Sequence, residues 1–290
     1  MKYLSQHCYI RNSDLISPPP HGIAYEKTQK ADSTNMTAQT TDVKAEKEKR
    51  NFGQWLWSEI KFFLGLLTFV LAMLTLIWGH FKIPSESMLP TLEVGDHIYV
   101  SKFAYGYSKH SLPFMLHKLP IPDGQIFSRL PKRGDVVVFR NPISGIIMIK
   151  RAIGLPGDTV QVTGGILLLN GEIVGRTQVD NFKFREHKGR VVEIKKYSEK
   201  LPGEKDSHFI YEKTDQGALD NTEVYTVPEG DVFFMGDNRD NSTDSRVLSE
   251  TGFIPQDHLI GRADLMMFSF HRCKTEEGLR CPGVRFGKKL

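Results

Sequence analysis

Two residues far apart in the chain, Ser87 and Lys150, have the types and surroundings needed for nucleophilic catalysis. Ser87 lies in the run Ile83-Pro-Ser-Glu-Ser-Met-Leu-Pro90, and a serine hydroxyl is a weak nucleophile until a nearby base removes its proton. Lys150 ends an apolar run over residues 146–149. A lysine that loses hydration in such a strand has a lowered pKa, so its neutral amine can accept a proton. Spacing alone leaves a second interpretation open, in which Lys150 ends its strand and reaches solvent.

A histidine with an aspartate is the more usual partner of a nucleophilic serine. The chain after residue 82 contains several histidines, including His97, His110, His117, His208, His258 and His271. None of them lies in a recognisable catalytic motif, and the chain has no Gly-x-Ser-x-Gly sequence. The sequence therefore favours a lysine base over a histidine-based triad.

A third polar segment, residues 233–246, follows an apolar strand pattern and is dense in Gly, Asx and Ser. Such residues favour turns with side-chain-to-backbone hydrogen bonds. Asp244 and Arg246 have the spacing for a charge-assisted pair. The alternating ligands, central Gly and late Glu of a calcium-binding EF-hand are missing. We therefore expect no metal and no cofactor.

The segment Phe62–Phe81 carries no charged side chain except His80 when protonated. As a helix it would span roughly 30 Å, the thickness of the hydrocarbon layer. Lys61 and Lys82 bracket it, so a single transmembrane helix is predicted over 59–82. A buried core helix is the alternative. A cleaved signal peptide is disfavoured because the apolar run starts late and lacks a small-x-small site after it.

Positive residues before the apolar segment set the expected orientation: Lys44, Lys47, Lys49, Arg50 and Lys61, against Lys82 with Glu86, Glu93 and Asp96 after it. This excess of lysine and arginine predicts that the N-terminus stays in the cytoplasm and that the chain after Lys82 lies on the other side of the membrane. Residues 1–58 are polar through most of their length and are predicted to be a disordered cytoplasmic tail. The net charge of +4 and the lack of a basic stripe argue against a nucleic-acid partner.

Short β-branched or aromatic runs dominate the exported part, over 96–103, 135–140, 146–153, 159–162, 165–170, 172–174 and 231–235. Asn170-Gly171 between two of them is a strong signal for a β-hairpin. The predicted class is mostly β and antiparallel. Residues 177–222 are polar and look like an insertion. The predicted divisions are a catalytic β domain over 83–160 and 231–272, a smaller inserted β subdomain over 161–230, and a tail over 273–290.

Cys273 and Cys281 lie together near the C-terminus, in the exported part. A disulfide between them is feasible outside the cytoplasm, and two unpaired thiols are the equal alternative.

Four segments resemble, in family order, the bacterial type I signal peptidases. They are Ile83–Leu92 with Gly95-Asp96, Arg133–Phe139, Ile149–Asp158 and Met235–Arg246, within a resemblance that spans roughly residues 62–271. It implies a membrane-bound Ser/Lys endopeptidase of the signal-peptidase and repressor-protease type. Such an enzyme removes signal peptides from exported preproteins at the bacterial plasma membrane. We expect a monomer, with signal peptides and membrane lipid as partners.

The resemblance also implies roles by position. Ser87 corresponds to the acylated nucleophile, Lys150 to the general base, and Ser85 with the Ser87 backbone N–H to the oxyanion donors. Ser242 corresponds to the residue that hydrogen-bonds and orients the lysine, and Asp244 with Arg246 to a supporting ion pair. Apolar positions would form two shallow pockets that favour Ala-x-Ala before the cut, namely Phe81, Ile83, Met88, Leu92, Val138, Met148 and Ile149.

Two departures from the family pattern are visible. Many relatives have two membrane spans and this chain shows one, and a Trp-free link, Val247–Pro255, follows Arg246. Two other functional classes stay open on sequence alone. A self-cleaving repressor-type protease also uses Ser and Lys, and a non-catalytic membrane-tethered β module would need neither residue.

Overall fold

The computed structural model describes residues 32–112, 124–186, 189–269, 279 and 285–290. Two compact units divide the chain, Met1–Gly65 and Leu66–Leu290. The predicted class is confirmed, because strands dominate after an N-terminal helix and every pairing between named strands is antiparallel. Cys273 and Cys281 lie outside the described residues, as do residues 1–31 of the predicted tail.

The helix, α1 (Asp32–Leu76), begins within the segment predicted to be a disordered tail. Its stretch Asn51–Met73 has a mean hydropathy of 1.6 and, within the described residues, is the one helical segment long and apolar enough to cross a membrane. Apolar side chains along it are exposed, with Phe62 at 63% and Phe69 at 62%. This pattern of exposed apolar side chains is typical of a lipid-facing helix.

The end of the predicted transmembrane helix is corrected by the structure. The helix ends at Leu76, and Trp78–Lys82 form strand β1 instead of continuing it to residue 82. β1 pairs with β2 (Asp96–Ser101), with Trp78 opposite Ser101. Gly79 favours this outcome because glycine is a poor helix former. A Cβ there would also lie 2.7 Å from the Phe81 ring.

Within the described residues, β1 and β2 belong to a main sheet of eight strands. Its other members are β5 (Val136–Arg140), β6 (Ile147–Gly154), β14 (Asp231–Met235), β15 (Ile254–Pro255), β16 (Leu259–Ser269) and β17 (Phe286–Lys289). The order across the sheet is β1-β2-β16-β5-β6-β14-β15, with β17 paired to β16. Two further short strands, β3 (Tyr107–Ser108) and β4 (Gln125–Ile126), pair with each other.

Both faces of the main sheet are buried. Val136 and Val138 of β5 pack in one core cluster, whereas Val137 and Phe139 pack in another. This division follows from the pleat, which points successive side chains to opposite faces. It explains why β5 is a continuous apolar run up to Arg140 rather than an alternating one.

Two smaller sheets lie between β6 and β14 in the chain. One contains β13 (Tyr225–Thr226), β7 (Thr159–Thr163), β8 (Ile166–Leu169) and β9 (Glu172–Ile173), and the other contains β10 (Arg176–Arg185), β11 (Val191–Glu199) and β12 (His208–Glu212). The predicted hairpin is confirmed, because Asn170 and Gly171 both have positive φ, of 55° and 79°. Residues 177–222, the polar segment predicted to be an insertion, hold most of three paired strands.

Phe139 is fully buried and its ring stacks on Phe234 at a centroid distance of 4.6 Å. We predict that Phe139→Ala lowers the free energy of unfolding by about 3–5 kcal/mol, because it leaves a cavity in the core beside Phe234. Thermal unfolding of the detergent-solubilised protein measures the change. Ile173→Ala is the control, since Ile173 is 70% exposed and should change stability by less than about 0.5 kcal/mol. Equal losses in the two variants would contradict the assigned core.

Candidate active site

Ser87 lies in the turns between β1 and β2, and it is held there by the loop that follows β14. The backbone N–H of Asn238 donates to the Ser87 carbonyl at 3.1 Å, and the Asn238 side-chain amide donates to the carbonyl of Glu86 at 3.0 Å. The Ser87 residue is 8% exposed. Two hydrogen bonds from one asparagine thus fix the backbone on both sides of the serine Cα.

Lys150 lies in β6 opposite Val137 of β5. Its residue is 3% exposed, and its Nζ lies 2.5 Å from Ser87 Oγ. The interpretation in which Lys150 reaches solvent is therefore wrong. No histidine of the described residues lines the cavity that contains this pair.

Burial lowers the pKa of Lys150 to about 8, because the charged amine has lost its water. Asp244 and Asp237 act in the opposite direction by favouring the charged form, and Arg246 disfavours it. At a pH slightly above 8 most of the amine is neutral. A neutral amine within hydrogen-bonding distance of a hydroxyl is the arrangement that a lysine general base requires.

Asp244 and Arg246 form the bidentate ion pair that their spacing predicts. Arg246 Nε and Nη2 donate to the two carboxylate oxygens at 2.9 Å each, and the Gly236 backbone N–H donates to Asp244 Oδ2 at 3.0 Å. Both residues are buried. Burial opposes ionisation of Asp244, but Arg246 holds its pKa below the usual range. The Trp-free link after Arg246 is therefore compatible with an intact pair.

A second buried ion pair, which sequence reasoning did not assign, joins Arg151 to Asp237. Arg151 Nε and Nη2 donate to Asp237 at 2.8 and 2.6 Å, and Thr91 Oγ1 donates to Asp237 Oδ2 at 2.5 Å. Side chains alternate along a strand, so Arg151 points away from its neighbour Lys150. Met235, the last residue of β14, lies opposite Arg151 in the antiparallel register. The signal that could have indicated the partner is therefore Asp237, the acidic residue two positions after Met235.

Gly236 allows the serine turn and the β14 loop to approach closely. A Cβ at this position would lie 2.5 Å from the Ser87 carbonyl oxygen and would overlap the Ser242 side chain. Ser242 is 7% exposed, and its Oγ has no hydrogen-bond partner within the described residues. The expected hydrogen bond from Ser242 to Lys150 is therefore not formed among the described residues.

Ser85, Ser87 and Lys150 line one cavity of about 770 Å³. Ser85 Oγ lies 3.3 Å from Ser87 Oγ. Of the apolar residues predicted to form substrate pockets, the cavity is lined by two, Met148 and Ile149. Its other apolar lining comes from Pro84, Val94, Ile146 and Ile147.

The remaining predicted pocket residues are placed differently from expectation. Ile83, Met88, Leu92 and Val138 are at most 2% exposed and belong to the core cluster that also contains Ile149, and Phe81 packs against that cluster. They do not line the cavity, because they occupy inward-facing positions of the sheet and of the serine turn. They support the cavity wall rather than form its surface.

Comparison with known proteins places this geometry in a family. The profile of the family described as signal peptidase, peptidase S26, matches residues 56–268. Signal peptidase I of Rickettsia typhi is 37% identical over 218 residues, which cover 73% of this chain and 80% of that protein. Signal peptidase I of Rickettsia akari is 36% identical over 238 residues, covering 80% and 85%.

A crystal structure of a signal peptidase I from Enterococcus faecalis V583 is also similar in sequence, at 29% identity. It covers 46% of this chain and 97% of that chain, with a TM-score of 0.27. Membership of the family therefore rests on the sequence matches.

We predict that Asp244→Asn destabilises the protein by about 3–5 kcal/mol, because it leaves Arg246 buried without its counter-charge. Chemical denaturation of the solubilised protein measures the difference. Glu193→Gln is the control, since Glu193 is exposed and its side chain accepts one hydrogen bond from Asn181. A loss below 1 kcal/mol in Asp244→Asn would mean that the ion pair does not support the loop.

Proposed function

The chain belongs to the peptidase S26 family of signal peptidases, and we propose that it cleaves signal peptides with Ser87 as nucleophile and Lys150 as general base. It is a serine hydrolase of the signal peptidase I type. One observation carries the assignment of the two residues. Lys150 Nζ lies 2.5 Å from Ser87 Oγ, and both residues are buried at the wall of the cavity.

The first step is proton transfer from Ser87 Oγ to the neutral amine of Lys150. The serine oxygen then attacks the scissile carbonyl carbon, and a tetrahedral intermediate forms. The Ser87 backbone N–H and the Ser85 hydroxyl are the proposed donors to its oxyanion. The position of Ser85, on the same cavity and 3.3 Å from Ser87 Oγ, supports its role.

Protonated Lys150 gives its proton to the leaving amine, which releases the mature protein and leaves the signal peptide as an ester on Ser87. Lys150 is then neutral again and removes a proton from the attacking water. The ester bond breaks, and the serine hydroxyl is restored. The pairs Asp237–Arg151 and Asp244–Arg246 are positioning residues in this scheme, because they hold the β14 loop against both members of the dyad.

Small residues before the cut are the proposed specificity, of the Ala-x-Ala type. The cavity wall beside the dyad consists of the aliphatic and thioether groups of Ile146, Ile147, Met148 and Ile149, with Val94 and Pro84. The cavity is also lined by Glu86, Glu186, Arg190, Asn241 and Thr243, but the apolar part of its wall offers a charged side chain no partner, so binding one against that part would cost its hydration. The wall is also supported by closely packed core residues, which restrict its movement for a large side chain.

We propose that α1 anchors the enzyme in the bacterial plasma membrane with the N-terminus in the cytoplasm. The apolar segment Asn51–Met73 and the lysines and arginine before it support this orientation. A signal peptide inserts into the same bilayer. Confining enzyme and substrate to one membrane raises their effective concentration.

We predict that Ser87→Ala and Lys150→Ala each abolish cleavage, because each removes one of the two groups that exchange the proton. The assay incubates the solubilised protein with a peptide that carries an Ala-x-Ala site and identifies the fragments by mass spectrometry. Lys132→Ala is the matched control, since Lys132 is exposed and should leave the rate unchanged. A second peptide with lysine at the −1 position should stay intact.

Near-normal cleavage by folded Lys150→Ala would exclude the lysine base. Cleavage of the Ala-x-Ala peptide and of the peptide with lysine at −1 at similar rates would exclude the proposed specificity, but it would not contradict the Ser87–Lys150 dyad.

We predict that kcat/KM rises with pH and levels off above an apparent pKa near 8. Burial lowers the pKa of Lys150 to about 8, and only the neutral amine accepts the serine proton. The rate is therefore small while the amine is charged below that pH, and it approaches a plateau above it. Initial rates from pH 6 to pH 10 give the profile. A rate that does not change over this range would contradict the mechanism.

A further inference from the structure

Three acidic side chains from distant parts of the sequence meet in a cluster outside the cavity. Glu212 ends β12, Asp220 lies in a turn, and Asp240 lies in a single helical turn, Arg239–Asn241, after β14. One carboxylate oxygen from each residue lies within 4.8 Å of the other two. Glu212 and Asp220 are at most 1% exposed, and Asp240 is half-buried.

Each of these carboxylates has protein partners for one of its oxygens. Arg176 Nη1 donates to Glu212 Oε1 at 3.1 Å, and the Gly217 N–H donates to Asp220 Oδ2 at 2.5 Å. Asp240 Oδ2 accepts from the N–H groups of residues 213 and 214, at 2.7 and 3.0 Å. Glu212 Oε2 and Asp220 Oδ1 are buried and have no hydrogen-bond partner within the described residues.

Two unpartnered carboxylate oxygens in the interior carry a free-energy cost, because they have lost water and gained nothing in exchange. A bound proton or a bound cation would give these oxygens a partner.

We propose that Glu212, Asp220 and Asp240 bind a divalent cation of the calcium type. Two oxygens that bind one Ca²⁺ at 2.3–2.6 Å are at most about 5 Å apart, whereas the shorter bonds to Mg²⁺ limit the separation to about 4.2 Å. The three oxygens lie within 4.8 Å of one another, close enough to bind one ion of this size together. Carboxylate oxygens are also the ligands that this class of ion prefers, with water completing the coordination.

A cation here connects the inserted sheets to the β14 loop. Asp240 lies in the chain between Asp237 and Asp244, whose ion pairs position that loop. Arg246 Nη1 also donates to the carbonyl of Leu219 at 3.5 Å, next to Asp220. Binding at this point therefore stabilises the folded protein and the loop together.

Isothermal titration of the full-length solubilised protein, first treated with a chelator, tests the proposal. Calcium chloride is the probe. We expect saturable binding of one Ca²⁺ per chain and a rise in the melting temperature with Ca²⁺. Glu212→Gln, Asp220→Asn and Asp240→Asn should each weaken binding at least tenfold. Glu223→Gln, an exposed carboxylate from the same segment, should leave binding unchanged.

No saturable Ca²⁺ binding by the folded wild-type protein would overturn the proposal. So would a melting temperature that rises only on acidification and ignores Ca²⁺, since the cluster then holds a proton instead. If the two buried variants do not fold, the half-exposed Asp240→Asn decides, because undiminished binding by that variant excludes the site. Neither readout depends on peptide cleavage, so this result is independent of the assigned dyad.

Discussion

The burial of the Lys150 amine is the constraint on which the rest of the site depends. Lys150 lies near two carboxylates, Asp237 and Asp244, which would normally keep a lysine charged. Each carboxylate is instead held by two hydrogen bonds from an arginine, Arg151 or Arg246. The two pairs leave little net charge beside the amine, so the loss of hydration decides its pKa. Arg246 also disfavours the charged amine directly, although less than the loss of hydration does.

The register of the sheet delivers this arrangement. Neighbouring residues of a strand point to opposite faces, so Lys150 is directed to Ser87 while Arg151 is directed to Asp237. A slip of one residue in the pairing of β6 would exchange their positions. The slipped strand would place a permanently charged guanidinium beside the serine, and arginine does not give up its proton at physiological pH. Buried apolar residues on both sides of β5 and β6 make such a slip costly.

Local signals made much of this architecture predictable. The strands β5, β8 and β14 are mostly apolar, β6 is apolar on either side of Lys150 and Arg151, and Asn170-Gly171 has the composition of the turn that it forms. β1 was not predicted because its residues prolong an apolar helix, and only pairing with β2 distinguishes strand from helix there. β16, which lies between β2 and β5 in the sheet, was not predicted either, because charges at Arg262 and Asp264 interrupt its apolar pattern. Within the site, apolar character predicted burial correctly, but it could not tell core residues from cavity residues.

The three strands within residues 177–222 were not predicted individually because this segment is polar. Buried charged residues account for part of its polar composition. Arg239 of the β14 loop is buried and forms an ion pair with Glu199 of β11. His208 of β12 contacts the same carboxylate through Nε2 at 3.3 Å and Glu204 through Nδ1 at 3.1 Å, and Glu204 also lies 3.7 Å from Arg151. The inserted strands thus supply counter-charges to the loop that positions Asp237 and Asp244. An apolar insertion would leave Arg239 uncompensated in the interior, so the sequence of this segment is constrained by electrostatics more than by hydrophobic packing.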